Sequence, residues 1–292
     1  MKRVVTIQDI SCVGKCSLTV ALPIISALGV ETAIIPTAVL STHTMFKGFT
    51  FHDLTAEIIP ICEHWKKEGF KFDAIYTGYL GSFEQINLMK KLFADFKGEN
   101  TLCIVDPCMA DNGALYTGFT QEFAFEMANL VGIADVTMPN ITEASYLLGI
   151  PYKKPGEYDE TYIKNILLDL SKLGAKQVVL KGVEFHSDQD NFKNVKGKIG
   201  IVSYDSKTKT FSNYFHEKQA KSFHGTGDIF ASVCVGCLMQ NASLQQAYSI
   251  AADFVEATIK ETVSHPKHNT YGVDFEAVFP QLLKRLAEIK IK

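Results

Sequence analysis

The chain has 292 residues, is 47% hydrophobic and carries a formal net charge of −3; it is long enough for a large core, and we expect one domain over residues 1–292 and no nucleic-acid partner. No apolar run is long enough to cross a bilayer, and no signal peptide precedes the strand-like residues 4–7, so we expect no membrane partner. Seven cysteines, scattered through apolar segments, favour free thiols in the cytoplasm over a disulfide framework.

Short apolar runs alternate with amphipathic stretches along the chain. The predicted strands are 4–8, 32–39, 74–77, 101–105, 136–138, 177–180, 198–204 and 210–215. The predicted helices are 17–28, 56–67, 83–95, 122–131, 141–148, 161–173, 226–239, 244–262 and 275–289. This alternation predicts an α/β fold with a mostly parallel central sheet between two layers of helices, and its last two strands form an antiparallel edge pair. In such sheets ligands bind at the carboxyl ends of the strands.

Two polar segments follow early strands. Three hydroxyls and an imidazole in Ser41-Thr42-His43-Thr44 offer donors and acceptors to a small polar substrate, although a plain polar loop has the same composition. In Thr77-Gly78-Tyr79-Leu80-Gly81-Ser82, two glycines around Tyr79 allow close approach to a flat ring. The same segment also reads as a strand-to-helix turn capped by Ser82.

Carboxylates follow two later strands. Asp106 and Asp111, in Asp-Pro-Cys-Met-Ala-Asp-Asn-Gly, could hold a hydrated divalent cation or simply cap a turn. Asn140 and Glu143 have the spacing of a capping box at a helix start. Glu143 could in addition reach a magnesium–phosphate group from the first helical turn.

Two further motifs suit phosphate. Lys181, at the end of an apolar strand and next to Gly182, could pair with a phosphate oxygen or reach solvent. In Phe223-His-Gly-Thr-Gly-Asp-Ile-Phe-Ala231, two glycines and a threonine stand at a predicted helix start, where backbone N–H groups bind anions. An ordinary capped turn would look similar, but Asp228 beside an anion site indicates a base for phosphoryl transfer.

The order and spacing of these motifs resemble the ribokinase superfamily and, within it, the pyridoxal (vitamin B6) kinases, from about residue 4 to residue 238. The Gly-Thr-Gly-Asp segment carries the resemblance to the superfamily, and Gly-Tyr-Leu-Gly-Ser and Ser-x-His-Thr narrow it to the B6 kinases. The chain departs from those kinases in having Asp9-Ile10 after the first strand, and Ser17 and Leu18 where glycine and asparagine are usual. In having an acidic residue near the end of the first strand, the chain also resembles the hydroxymethylpyrimidine kinases.

The resemblance implies a ribokinase-like α/β/α sandwich with a small flap over the substrate, including parts of 37–50 and 112–119, with Tyr116 as a candidate cover. It implies ATP and Mg²⁺ as cofactors, leaves a monovalent cation open, and suggests a homodimer. The implied catalytic residues are Asp228 as base with Gly225, Thr226 and Gly227 as the anion hole. The implied ATP contacts are Asn140, Lys181, Gly182, Thr226 and Gly227. The implied substrate contacts are Asp9, Thr37, Ser41, His43, Thr44, Tyr79 and Asp228, and the implied metal contacts are Asp106, Asp111 and Glu143.

The implied reaction is phosphorylation of the 5′-hydroxymethyl group of pyridoxal, pyridoxamine or pyridoxine. An aldehyde substrate could also condense with a lysine, for which Lys15 is a candidate. A kinase of the same fold acting on hydroxymethylpyrimidine or a sugar is the nearest alternative, and a non-catalytic B6-binding protein is another. A dinucleotide-dependent oxidoreductase is disfavoured because no Gly-x-Gly-x-x-Gly follows the first strand.

Overall fold

The computed structural model describes residues 1–290, in which strands alternate with helices. The strands are β1 (Arg3–Val13), β2 (Glu31–Thr42), β3 (Phe51–Asp53), β4 (Ala74–Thr77), β5 (Leu102–Val105), β6 (Ala110–Asp111), β7 (Ala114–Leu115), β8 (Val136–Thr137), β9 (Gln177–Glu184), β10 (Lys198–Asp205) and β11 (Thr210–Glu217). The helices are α1 (Leu18–Ala27), α2 (Thr55–Lys67), α3 (Phe83–Phe96), α4 (Gln121–Val131), α5 (Ile141–Leu148), α6 (Glu160–Lys172), α7 (Thr226–Met239), α8 (Leu244–Ser264) and α9 (Phe279–Lys290). Within residues 1–290, none of these helices combines the length and the apolar character that a membrane crossing requires.

The chain divides into two compact units, and the first comprises Met1–Thr101 and the segment that begins at Gln219. Its strands follow the order β4-β1-β2-β3, with β1 parallel to β4 and to β2, and β3 antiparallel to β2. Val4, Val5 and Ile7 of β1 are fully buried, as expected of a central strand covered on both faces. Helix α7 packs between α1 and α8. A Cβ at Gly236 would lie 2.3 Å from Cδ1 of Leu28, so a larger residue would require this leucine, at the end of α1, to move.

The second unit comprises Leu102–Lys218. Its strands follow the order β11-β10-β9-β8-β5; β5, β8 and β9 are parallel, whereas β10 and β11 form antiparallel pairs. Parallel neighbours need crossover connections, which α4, α5 and α6 provide. Helix α5 begins at a capping box formed by Asn140 and Glu143 and ends at Gly149, whose φ of 63° lies in the left-handed region. Asp106 directly follows β5, and a parallel bridge pairs Asn140, just beyond β8, with Lys181. Lys181 lies inside β9, which continues to Glu184 rather than ending at the predicted residue 180.

The predicted fold class is confirmed: the chain is α/β, its sheets are mostly parallel and flanked by helices, and the last two strands are antiparallel. The structure adds three short strands, β3, β6 and β7, and all three lie within or next to the segments predicted as a flap. Strand β1 runs five residues beyond its predicted end, because its pairing with β2 resumes after an irregularity between Gln8 and Ile10. A 3-10 turn at Phe275–Val278 precedes α9, where one continuous helix was predicted. One domain for the whole chain stays a prediction.

Candidate active site

The glycine-rich segment before α7 forms a helix start that can bind an anion. Gly225 has a φ of 82°, and a Cβ at this position would lie 1.8 Å from the carbonyl oxygen of Lys15. Only glycine therefore fits. The hydroxyl of Thr226 donates to the carbonyl oxygen of Phe223, and the first bond of the helix runs from the Ile229 N–H to the Gly225 carbonyl. The N–H groups in the first turn of a helix have no acceptor within it, so they are available to an anion.

Asp228 lies in this first turn and is 7% exposed. Its Oδ2 accepts a hydrogen bond of 2.9 Å from the backbone N–H of Ser17, which immediately precedes α1. Cys16 lies beside it, and burial raises the pKa of that thiol to about 12, with the charges of Asp228 and Asp9 adding to the effect. The thiol is therefore protonated near neutral pH. The hydrogen bond from Ser17 fixes the orientation of the Asp228 carboxylate.

Asp9, at the irregularity in β1, is the second buried carboxyl group of this unit. Its Oδ2 accepts a hydrogen bond of 3.3 Å from the hydroxyl of Ser11. Burial raises the pKa of Asp9, and the nearby hydroxyls of Ser17 and Ser11 together with His43 oppose the rise. The structure thus connects Asp9 to Asp228 through Ser17.

His43 is almost fully buried, and both of its ring nitrogens have partners. Its Nε2 lies 3.1 Å from the carbonyl oxygen of Tyr271, and its Nδ1 accepts from the Met45 N–H at 3.3 Å. Because a carbonyl can only accept, the ring carries its proton on Nε2. The ring centroid of His224 is 4.8 Å away, and burial together with His43 lowers the pKa of His224 to about 4. Both imidazoles are therefore neutral near pH 7.

The other predicted substrate contacts are Ser41, Thr44, Thr37 and Tyr79. The Ser41 hydroxyl accepts from the Thr50 N–H, so it stabilises the turn between β2 and β3. Thr44 is exposed, and Thr37 is buried with its carbonyl accepting from Leu54 N–H. Tyr79 follows β4 and is half-buried.

Gly78, which precedes Tyr79, approaches a buried side chain closely. A Cβ at Gly78 would lie 2.6 Å from the side chain of Gln8, so this glycine accommodates a buried neighbour. Ser82 caps α3 by accepting from the Gln85 N–H, which confirms the capping interpretation. The contact of Tyr79 with a flat substrate ring stays a prediction.

The second unit contains a separate charged group, the Lys181 cluster, made of Asp106, Glu143 and Lys181. The ammonium of Lys181 lies 2.7 Å from Oδ1 of Asp106, which is 2% exposed. Burial raises the pKa of Asp106, against the opposing charge of Lys181. Burial disfavours the charged form of Lys181 as well, but the charges of Asp106 and Glu143 dominate and raise its pKa.

Glu143 is held by its capping bonds, since its Oε2 accepts from the Asn140 N–H at 2.7 Å and its Oε1 from the Met109 N–H at 3.3 Å. Burial raises the pKa of Glu143 to about 8; Lys181 opposes the rise, and the charge of Asp106 adds to it. With both carboxyls ionised, the cluster would carry two negative charges against one positive charge. Carboxylate oxygens with an unbalanced negative charge suit Mg²⁺, so the donor set of Asp106 and Glu143 fits that ion.

The remaining residues predicted near phosphate or metal do not complete a preformed metal site. Asp111 is exposed on β6, where its carboxylate accepts from the backbone and side-chain amides of Asn112. Among residues 1–290, no group of three or more His, Cys, Asp or Glu could hold a metal ion. Gly182 has a φ of 74° with open space around it. The amide of Asn140 donates to the Ala110 carbonyl.

Lys15, the candidate for condensation with an aldehyde, is held by acidic side chains. Its ammonium lies 3.2 Å from Asp274 and 2.7 Å from Glu276. Burial disfavours its charge, but these two partners outweigh burial and raise the pKa of Lys15. Condensation requires a neutral amine, so this environment disfavours that role.

Sequence reasoning missed two residues of the site: Ser17, which donates to Asp228, and His224, which packs against His43. His224 adjoins the glycine-rich segment, and this adjacency could have drawn attention to it. Ser17 has a φ of 52°, which no local pattern reveals.

Comparison with known proteins agrees with this geometry. The family model of the phosphomethylpyrimidine kinases matches residues 21–273. The chain belongs to this family and is therefore a kinase of a family that uses ATP.

Similar proteins carry both substrate names. A Bacteroides thetaiotaomicron protein assigned to the phosphomethylpyrimidine kinases, and solved with pyridoxal, is 38% identical with a TM-score of 0.88, over 96% of this chain and 95% of that one. Pyridoxal kinase from Lactobacillus plantarum is 27% identical with a TM-score of 0.86, over 97% of each chain. The hydroxymethylpyrimidine/phosphomethylpyrimidine kinase of Haemophilus influenzae is 28% identical, over 91% of this chain and 92% of that protein. These likenesses confirm the predicted ribokinase-like fold.

Proposed function

We propose that this chain transfers the γ-phosphoryl group of ATP to the hydroxymethyl group of a B6 vitamer: pyridoxal, pyridoxamine or pyridoxine. The observation that carries the proposal is the buried carboxylate of Asp228, held 2.9 Å from the Ser17 N–H in the first turn of α7. A carboxylate beside anion-binding amides is suited to take a proton from an alcohol that attacks a phosphate.

In the proposed reaction, the hydroxymethyl oxygen forms a bond to the γ-phosphorus while the bond between that phosphorus and the bridging oxygen of ADP breaks. The alcohol proton moves to Asp228. The backbone N–H groups of Gly225, Thr226 and Gly227 would stabilise the negative charge on the transferred group. We assign the acceptor ring to Asp9, His43 and Tyr79, since burial and a raised pKa allow Asp9 to hold or share a proton with a ring nitrogen or hydroxyl.

We assign the ATP phosphates to Lys181, with Asn140 and Gly182, because an ammonium pairs with phosphate oxygens. Asp106 and Glu143 are the carboxylates that would hold Mg²⁺, and Asp111 could add a water-mediated contact. Magnesium, when bound, would neutralise phosphate charge. Activation by a monovalent cation, a homodimeric state and a cytoplasmic location stay predictions.

Hydroxymethylpyrimidine is the second candidate acceptor. The family match and the Haemophilus influenzae relative favour it, whereas the Bacteroides thetaiotaomicron protein solved with pyridoxal favours a B6 vitamer. Both acceptors are flat nitrogen heterocycles that carry a hydroxymethyl group, so the same base and anion site serve either one.

A coupled ADP-release assay with pyridoxal, pyridoxamine, pyridoxine and hydroxymethylpyrimidine, run side by side, tests the proposal. We expect the highest kcat/KM with a B6 vitamer, and a fall of about 10²–10⁴-fold in kcat for Asp228→Ala with ATP binding retained. Glu84→Ala is the matched control, because Glu84 is an exposed acid in the first turn of α3. Turnover of Asp228→Ala within about threefold of wild type would refute the role of the base. Vitamer binding without any ADP release would instead indicate a non-catalytic B6-binding protein.

A further inference from the structure

Ser17 has an unusual backbone conformation at a buried position. Its φ of 52° and ψ of −135° lie in a region that glycine adopts readily and that a side chain with a Cβ disfavours. The residue is 5% exposed. Residues in such conformations persist only where the surrounding structure holds them, and they concentrate at functional sites.

The usual reason for a serine before a helix does not apply here. A serine at an N-cap accepts a hydrogen bond from the second or third helical N–H, but the side chain of Ser17 makes no such bond to α1. Only its backbone carbonyl serves the helix, by accepting from the N–H groups of Val20 and Ala21. The hydroxyl is therefore available to a partner outside α1.

The polar groups of Ser17 contact two buried acids from different elements. Its backbone N–H donates to Oδ2 of Asp228 at 2.9 Å, and its hydroxyl lies beside the carboxyl group of Asp9 in β1, whose pKa it lowers. The left-handed conformation makes this possible, because it turns the N–H of a residue at the start of α1 toward α7. One residue thus holds the carboxylate of Asp228 and stands next to that of Asp9.

We infer that Ser17 is a positioning residue, whose N–H orients the base Asp228 and whose hydroxyl orients Asp9 toward the acceptor ring. This inference rests on the proposed function, because it assigns Asp9 to the acceptor and Asp228 to the proton. It predicts that the hydroxyl governs acceptor binding and that the N–H governs turnover.

Few other charges act on Asp9. His43, which directly follows β2, faces it, and the Cys16 thiol lies beside both acids. The pKa of His43 is lowered by burial and that of Cys16 is raised to about 12, so both groups are neutral near pH 7. Hydroxyl donors, from Ser11 and Ser17, are therefore the principal support for the ionised form of Asp9.

The test uses Ser17→Ala and Ser17→Gly in the full chain, since both variants remove the hydroxyl and keep the N–H. Ser26→Ala is the control, because Ser26 is an exposed serine on the same helix. Titration of the side-chain carboxyl carbon of Asp9 by ¹³C NMR should show its midpoint at higher pH in both Ser17 variants and unchanged in the control. The Gly variant, which fits the left-handed conformation, gives a folded sample even if the Ala variant does not fold.

Kinetics provide the second readout. We expect the KM for the acceptor to rise about tenfold or more in both variants, the scale for a lost bond to a charged group, while kcat and the KM for ATP stay within about threefold. An Asp9 titration identical to wild type, or an unchanged acceptor KM, would overturn the inference. If wild type phosphorylates none of the four acceptors, the proposed function fails, and the Asp9 titration still decides whether Ser17 orients this acid.

Discussion

Replacing Gly225 by alanine should both destabilise the protein and impair turnover. The new Cβ would lie 1.8 Å from the carbonyl oxygen of Lys15, which is 1.2 Å closer than the 3.0 Å that real Cβ atoms respect. The left-handed backbone alone costs an alanine about 1–2 kcal/mol. Because the obstructing atom belongs to the backbone, it cannot rotate away, and we expect a total loss of about 3 kcal/mol or more in the free energy of unfolding.

Urea denaturation of wild type, Gly225→Ala and Gly69→Ala measures this loss. Gly69 is a matched control, since its φ of 72° is also left-handed but nothing lies within 4 Å of its Cβ position. We expect Gly69→Ala to lose only about 1–2 kcal/mol. Equal losses for the two variants would refute the claim that the Lys15 carbonyl excludes a side chain at residue 225. In the folded fraction of Gly225→Ala, kcat should fall about 10²-fold, because the displaced N–H groups no longer face the transferred charge.

Three further predictions concern the buried charges and Ser17. Lys181→Met should raise the KM for ATP and lower the unfolding free energy by about 3–5 kcal/mol, because it leaves Asp106 buried without its cation; Lys181→Met combined with Asp106→Leu should recover most of that stability, and an unchanged KM would exclude the phosphate role. Burial raises the folded-state pKa of Glu143 to about 8 from an ordinary 4.5, so the folded state retains this proton and the unfolding free energy should fall as pH rises from about 4.5 to 8. Glu143→Gln should flatten that dependence in urea titrations at pH 5, 6.5 and 8, and an equal slope in both proteins would contradict it. Ser17→Gly should be about 1 kcal/mol more stable than Ser17→Ala, because only glycine relieves the left-handed strain; thermal melts that rank the alanine variant higher would show the strain to be absent.

Local chemistry explains which features the sequence could predict. The capping box of Asn140 and Glu143 depends on residues three apart, and the structure confirms it. The glycine-rich start of α7 likewise depends on adjacent residues. The short strands β6 and β7 have two residues each, and so few residues show no hydrophobic repeat from which a strand could be predicted.

The pairing of Asp106 with Lys181 joins residues 75 apart in the chain, so neither residue's neighbours could indicate it. Both were predicted as contacts for metal or phosphate, but their mutual ion pair follows only from β5, β8 and β9 lying side by side. The bond from Ser17 to Asp228 spans 211 residues and depends in addition on a backbone angle that serine rarely adopts. Such non-local relations need the folded chain.

The two hydrogen bonds of His43 limit what this imidazole can do in a catalytic cycle. Its Nε2 proton is committed to the Tyr271 carbonyl, and its Nδ1 lone pair is committed to the Met45 amide. A ring with both nitrogens occupied cannot shuttle protons to or from an acceptor unless one of these bonds opens. His43 can therefore offer an incoming heterocycle only its flat surface and edge, which leaves proton transfer to other groups such as the buried carboxyls of Asp9 and Asp228.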